Sequence, residues 1–234
     1  MIEAMNERII IVLDVSSRRD ALHLVGSLKS QAGMFKVGSQ LFMAEGPAVV
    51  REIIDQGTKV FLDLKFHDIP NTVAHAVLEA AKLGVSMMTV HASGGRAMME
   101  TVSKSLQDRF GHTKPLVVAV TVLTSLNAEG LQQVGIDRPI IDQVRQLALL
   151  AKECGIDGVV CSPQEIELVR SAAGSQFKIV TPGIRLEGQS LNDQQRTATP
   201  REAIVRGADY LVVGRAITED PDPLGALQQL IQSI

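Results

Sequence analysis

The run Lys59-Val60-Phe61-Leu62-Asp63-Leu64-Lys65-Phe66-His67-Asp68-Ile69-Pro70-Asn71-Thr72 begins as an apolar strand and ends as a polar loop. In an extended chain alternate side chains share a face, so Val60, Leu62, Leu64 and Phe66 point one way and Phe61, Asp63 and Lys65 the other. The first set needs a layer of helices to cover it. The second sets a carboxylate beside an ammonium on a face that must open into a polar cavity, since buried charge without partners is costly. Alone, Asp63 and Lys65 could be an ion pair at a strand end. Together with Lys36 and Asp68 they form a set alternating in sign, in which every ion has opposite neighbours that offset its desolvation. Such a set supplies a fixed field for a reacting group, and Lys65 is the member able to stay protonated beside carboxylates and act as an acid.

Residues from distant parts of the chain can meet in this way only if the elements carrying them converge. Eight strand-like apolar runs recur, each followed by a polar turn and a helical pattern: Ile9 to Val15, Met34 to Gly38, Lys59 to Phe66, Met87 to His91, Leu116 to Leu123, Gly158 to Ser162, Lys178 to Pro182 and Tyr210 to Gly214. Strand alternating with helix implies a parallel sheet, and eight such units imply an α/β fold closed as a (β/α)8 TIM barrel. Helix signals agree. Thr199-Pro200-Arg201-Glu202 is a capping box with Pro at the first helical position. Asp222-Pro223 and Ser17 with Asp20 open helices similarly, and Gly84, Gly155 and Gly207 fall where helices must stop. With no linker or repeat, residues 1–234 read as one domain.

In barrels of this class the active site lies at the carboxyl ends of the strands. Those ends carry Asp14, Lys36, Asp63 with Lys65, His91, Thr124, Ser162, Arg185 and Arg215. For His91 and Ser162 the reading stays open between a site residue and a polar strand terminator. The loops after strands seven and eight, Thr181-Pro182-Gly183-Ile184-Arg185 and Val213-Gly214-Arg215, suit a phosphate clamp: Gly214 permits close backbone approach and Arg215 can bind an oxyanion through two hydrogen bonds. Between them Leu186 to Gln195 is polar and long for such a loop, as a lid or a plain solvated loop would be. Ser93-Gly94-Gly95 before a helix reads as an anion turn or simply a tight turn.

Composition bounds the rest. Aromatic residues make up 3% and Trp is absent, so the core must be aliphatic. A formal charge of -3 without a basic run gives no footprint for nucleic acid. Cys154 and Cys161 form no CxxC pattern and read as thiols of a reducing compartment. No secretory leader is evident, and the longest uncharged stretch, Pro115 to Ala128, is too short to span a bilayer, so a cytoplasmic protein without membrane association is expected. The five histidines have no ligand spacing, so no metal is expected.

Phe61-Leu-Asp-Leu-Lys-Phe-His-Asp-Ile-Pro-Asn-Thr72 resembles the signature of the orotidine 5'-phosphate decarboxylase family, whose core is D-x-K-x-x-D-I. Leu13-Asp14, Phe35-Lys36-Val-Gly, Leu123-Thr124-Ser125, Thr181-Pro-Gly-Ile-Arg185, Asp193-Gln194 and Val213-Gly-Arg215 stand in the family's order, so the resemblance covers nearly the whole chain, in the short bacterial form. The resemblance implies decarboxylation of orotidine 5'-phosphate (OMP) to UMP, the last step of pyrimidine nucleotide synthesis, without metal or cofactor. It implies that Lys65 protonates C6, that Asp63 and Asp68 complete the charged set with Lys36, and that Asp68 and Thr72 come from the neighbouring subunit of a homodimer. It further implies that Asp14 and Lys36 hold the ribose, that Ile69, Thr124 and Pro182 lie at the substrate, and that Gln194, Arg185, Gly214 and Arg215 hold the phosphate.

The chemistry suits such a charged set. Decarboxylation at C6 leaves charge in an orbital that the ring carbonyls cannot delocalise, and no motif offers an electron sink, so electrostatics and proton delivery must lower the barrier. Asp63 near the substrate carboxylate could add ground-state destabilisation as a minor contribution. Two rivals remain: a magnesium-dependent barrel of the 3-keto-gulonate 6-phosphate decarboxylase or hexulose phosphate synthase kind, and a barrel that binds nucleotide without catalysis.

Overall fold

The structure, a computed structural model, describes residues 5–185 and 197–234. Its centre is eight strands: β1 Ile9–Val12, β2 Met34–Gly38, β3 Val60–Phe66, β4 Met87–His91, β5 Leu116–Val120, β6 Gly158–Val160, β7 Lys178–Thr181 and β8 Tyr210–Val213. Each pairs in parallel with the next, and β8 pairs with β1 to close the barrel. Segments such as Ile-Ile-Ile-Val in β1 and Leu-Val-Val-Ala-Val in β5 are continuously apolar because both faces are covered.

Two apolar layers follow from the alternation. Ile10, Val12, Met34, Phe61, Met87, Val118, Val180 and Val212 fill the barrel, with Tyr210, the single tyrosine, packed partly buried at their base. Ile9, Ile11, Leu13, Phe35, Val37, Val60 and Leu62 face the helices instead. The core is aliphatic, as the composition requires. Several strands end earlier than the apolar runs do: β1 at Val12 rather than Val15, β5 at Val120 rather than Leu123, β6 at Val160 rather than Ser162. There the chain leaves the ladder and turns into the loops that bear the polar residues.

The helices are α1 Arg18–Leu28, α2 Ser39–Asp55, α3 Pro70–Ala81, α4 Gly95–Phe110, α5 Ala128–Gln133, α6 Ile140–Glu153, α7 Ile166–Ala173, α8 Pro200–Arg206, α9 Arg215–Thr218 and α10 Pro223–Gln232. Ser17 caps α1 by accepting from the Asp20 N–H, Asp222 caps α10, and Thr199 and Glu202 form the reciprocal box at α8. Such a cap contributes about 1 kcal/mol. α8 ends on Gly207 in the left-handed region, φ 108°, where a Cβ would be strained; Gly84 and Gly155 close α3 and α6 with φ also positive. The sequence patterns do not show the kink in α2, where Gly46 takes φ 67° ahead of Pro47.

The amino-terminal face of the barrel is pinned by a device used twice. The Asp157 carboxylate, just before β6, accepts from the Val117 N–H at 2.8 Å and from Lys114 Nζ at 2.6 Å. The Asp209 carboxylate, just before β8, accepts from the Ile179 N–H at 2.8 Å and from Arg170 Nη2 at 2.6 Å. Each acid therefore satisfies the first free donor of the preceding strand and a cation from outside the barrel. The opposite, carboxyl-terminal face is left to the loops.

Candidate active site

Register brings the charged side chains to one mouth. In β2 and β3, Lys36 lies beside Phe61 and Gly38 beside Asp63, while β1 places Val12 beside Lys36, two residues before Asp14. Asp63 is the hub and is only 8% exposed. Its Oδ2 lies 2.8 Å from Lys65 Nζ and 3.3 Å from Lys36 Nζ, and its Oδ1 accepts from the Thr89 hydroxyl at 3.0 Å. Lys36 Nζ also reaches Asp14 Oδ1 at 3.8 Å. Burial, the largest single influence, pushes the Asp63 carboxyl up; Lys36 and Lys65, with the hydrogen bonds from Lys65 and Thr89, outweigh it and hold the group below the usual carboxylate range.

The backbone at Lys65 is unusual. Its φ of 52° is the one positive value among the described residues other than glycine. The cause is visible in the ladder: Leu62 pairs with Met88 and Phe66 with Val90, so β3 spends four steps where β4 spends two and the intervening residues bulge. A left-handed lysine costs about 1 kcal/mol and persists only where its surroundings hold it. Strict alternation along β3 foretells which face Lys65 occupies, but not this bulge.

The charged wall of Lys36, Asp63 and Lys65 bounds a cavity of about 180 Å³ whose floor is apolar, built from Val120, Val160, Val180 and Val212. Thr124 and Pro182 complete its rim. One flat ring with a charged edge and greasy faces would suit it. Gly38 matters to this geometry for a reason absent from the sequence pattern. Its φ of -93° suits any residue, but a Cβ there would stand 3.0 Å from Lys36 Nζ and 3.6 Å from Asp14 Oδ1. Because the obstructed atom is the tip of a flexible chain, Gly38→Ala is expected to leave the thermal midpoint within about 3 °C of the parent while lowering kcat/KM at least tenfold. Scanning calorimetry and steady-state kinetics on the same preparation check this.

The other expected site residues are placed as follows. Asp68, Ile69 and Thr72 are exposed on the rim at the start of α3, with Ile69 67% exposed. Asp68 Oδ1 accepts from the Ile69 N–H and, among the described residues, forms no ion pair with Lys36 or Lys65 of its own chain. Arg215 is exposed at the first position of α9, directly after half-buried Gly214. Arg185 is half-buried, with Nη1 donating to the Ile184 carbonyl at 2.8 Å. Ile184 and Ala198 form an isolated parallel bridge, so the two flanks of the segment between them are tied together. Gln194 and the expected lid, Leu186 to Gln195, lie outside the described residues.

His91 does not line the cavity. It stacks on His67 with ring centroids 5.3 Å apart, and burial first, then the proximity of His67 and Lys65, lowers its pKa against an opposing pull from Asp63. Ser162 is fully buried, and its N–H donates to Glu165 in the turn before α7. Gly94 and Gly95 form a tight turn into α4. Among the described residues, no three His, Cys, Asp or Glu side chains cluster as a metal site would require, and no helix is long and apolar enough to cross a membrane. Thr89 is the site residue that the sequence pattern missed, although it left one signal, a hydroxyl inside Met87-Met88-Thr89-Val90; Gly38 entered only as the last residue of the Phe35-Lys36-Val-Gly motif, with no role attached.

Fold and site together define a (β/α)8 barrel with a lysine–aspartate–lysine relay over a small apolar cavity, the architecture of a small-molecule lyase. A sequence model of the orotidine 5'-phosphate decarboxylase / HUMPS family matches residues 7–230, and the chain belongs to that family. A relative from Syntrophotalea carbinolica named orotidine 5'-phosphate decarboxylase is 50% identical over 100% of this chain and 97% of its own length. One of the same name from Geobacter sulfurreducens is 52% identical over 97% and 96%. The crystal structure of orotidine 5'-phosphate decarboxylase from Lactobacillus acidophilus superposes with a TM-score of 0.85 at 37% identity, covering 96% of this chain and 97% of that one.

Proposed function

We propose that this chain, as one barrel domain, decarboxylates OMP to UMP with release of carbon dioxide, the last step of de novo pyrimidine nucleotide synthesis. The observation that carries the reading is the Lys36–Asp63–Lys65 relay at the cavity wall. The C6–carboxylate bond breaks, its electron pair stays on C6, and the Lys65 ammonium, fixed beside the developing charge, delivers a proton to that carbon; the amine recovers its proton from water. Asp63 holds the Lys65 ammonium in place, 2.8 Å from its Oδ2. Asp14 and Lys36 hold the ribose, Thr124 and Pro182 border the base, and Arg185, Gln194, Gly214 and Arg215 hold the phosphate. Phosphate contacts remote from C6 contribute to turnover as well as affinity by ordering the site.

The functional unit in this reading is a cytoplasmic homodimer. The exposure of Asp68, Ile69 and Thr72 beside an unfinished charge relay supports delivery of Asp68 and Thr72 into the partner's site. The activity needs neither metal nor cofactor. Following the ultraviolet absorbance of OMP mixed with purified protein and EDTA tests the whole reading: conversion to UMP at the same rate with and without chelator is expected. Loss of activity in EDTA would point to the magnesium-dependent relatives, and no conversion in either case to a barrel that only binds.

A further inference from the structure

We infer that Thr89 is a positioning residue of the reaction, its one hydroxyl fixing both the Asp63 carboxylate and the backbone from which Lys65 projects. This rests on Lys65 as proton donor. Thr89 is wholly buried in β4, two residues after Met87 of the apolar barrel interior and therefore on the same inward face. Packing alone would be met equally by valine, which has the same shape. A buried hydroxyl there is accounted for by its partners, since an unpaired one is unfavourable. The hydroxyl donates to Asp63 Oδ1 at 3.0 Å and accepts from the Lys65 N–H at 2.8 Å. A threonine hydroxyl has one proton to give and lone pairs to receive with, so the two bonds coexist and fix its rotor.

The second bond explains why the bulge is stable. Between Leu62 and Phe66 the β3–β4 ladder lapses, and the Lys65 N–H takes a side-chain acceptor in place of a strand carbonyl. Thr89 itself stays in register with Val118 of β5, so the clamp is mounted on an unbroken part of the barrel. The left-handed conformation of Lys65 is thereby tied to the same atom that steadies Asp63. Removing the hydroxyl frees the lysine to relax toward an ordinary φ, and Nζ moves away from the cavity while the cavity itself remains.

The test compares the parent with Thr89→Val and Thr89→Ser in OMP decarboxylation and in UMP binding. Thr89→Val is expected to lower kcat ten- to hundredfold while the UMP dissociation constant changes less than threefold, and Thr89→Ser is expected to recover kcat to within threefold of the parent. A Thr89→Val kcat within threefold of the parent overturns the inference, and so does a loss that Thr89→Ser fails to recover or that is matched by equal loss of UMP binding. If Thr89→Val does not fold, Thr89→Ala is read by the same criteria. An inactive parent would instead overturn the decarboxylase reading, so the two failures are distinguishable.

Discussion

Lys65→Ala is expected to reduce UMP formation by roughly 10⁴-fold or more, because one substitution removes both a proton donor and a preorganised positive charge. Uncharged methyl in place of the ammonium leaves Asp63 paired with Lys36 alone, and the remaining carboxylate then faces the substrate carboxylate with less compensation. Product affinity should change far less than turnover, since UMP carries no developing charge at C6. Single-turnover measurement of OMP consumption, alongside titration with UMP, separates the two effects. Turnover within tenfold of the parent would place the proton donor elsewhere.

Asp63→Asn is expected to harm stability and activity together. Lys36 and Lys65 both approach the same oxygen of Asp63, and an amide leaves two neighbouring ammonium groups without their shared anion. Breaking a buried ion pair from one side costs about 3 kcal/mol, which is a large part of a typical folding free energy, and a loss of kcat exceeding 10²-fold is expected besides. The effect on stability has a definite pH signature. Asp63 is held below its usual pKa in the folded protein, so its contribution is complete above the unfolded carboxylate value of about 3.9 and is lost as the pH falls below that toward the lowered folded value. The stability gap between parent and Asp63→Asn, read from urea midpoints, should therefore be widest near neutrality and shrink on acidification below about pH 4. A gap independent of pH would show that the carboxylate charge is not what stabilises the site.

Much of this arrangement was legible before any coordinates. Apolar runs buried on both faces are nearly unbroken, so all eight strands announce themselves, and Thr199, Asp222 and Gly207 mark helix ends through local chemistry that needs no tertiary context. Lys36, Asp63 and Lys65 were readable as a group because a barrel sends every strand end to one rim. The bulge at Lys65 was not readable: it depends on a mismatch in length between β3 and β4 and on a hydroxyl 24 positions away in sequence. Gly38 stood in a family motif, but its role was not readable, since its conformation is ordinary and its importance lies in what a methyl group would strike across the mouth. Asp68 was legible as a member of the charged set through its sign and spacing, but its place in a neighbouring subunit's site, like the role of Thr72, came only through family resemblance, since among the described residues Asp68 forms no ion pair with Lys36 or Lys65 of its own chain.

The lone Tyr210 has a practical consequence. It sits at the entrance to β8, at the end of the barrel remote from the relay, and the chain contains no tryptophan. Its intrinsic emission therefore reports on the integrity of the pinned base, while the protein itself adds little absorbance where a pyrimidine nucleotide is monitored. Unfolding can accordingly be followed through this single emission in nucleotide-free samples, and turnover through the absorbance of the pyrimidine itself.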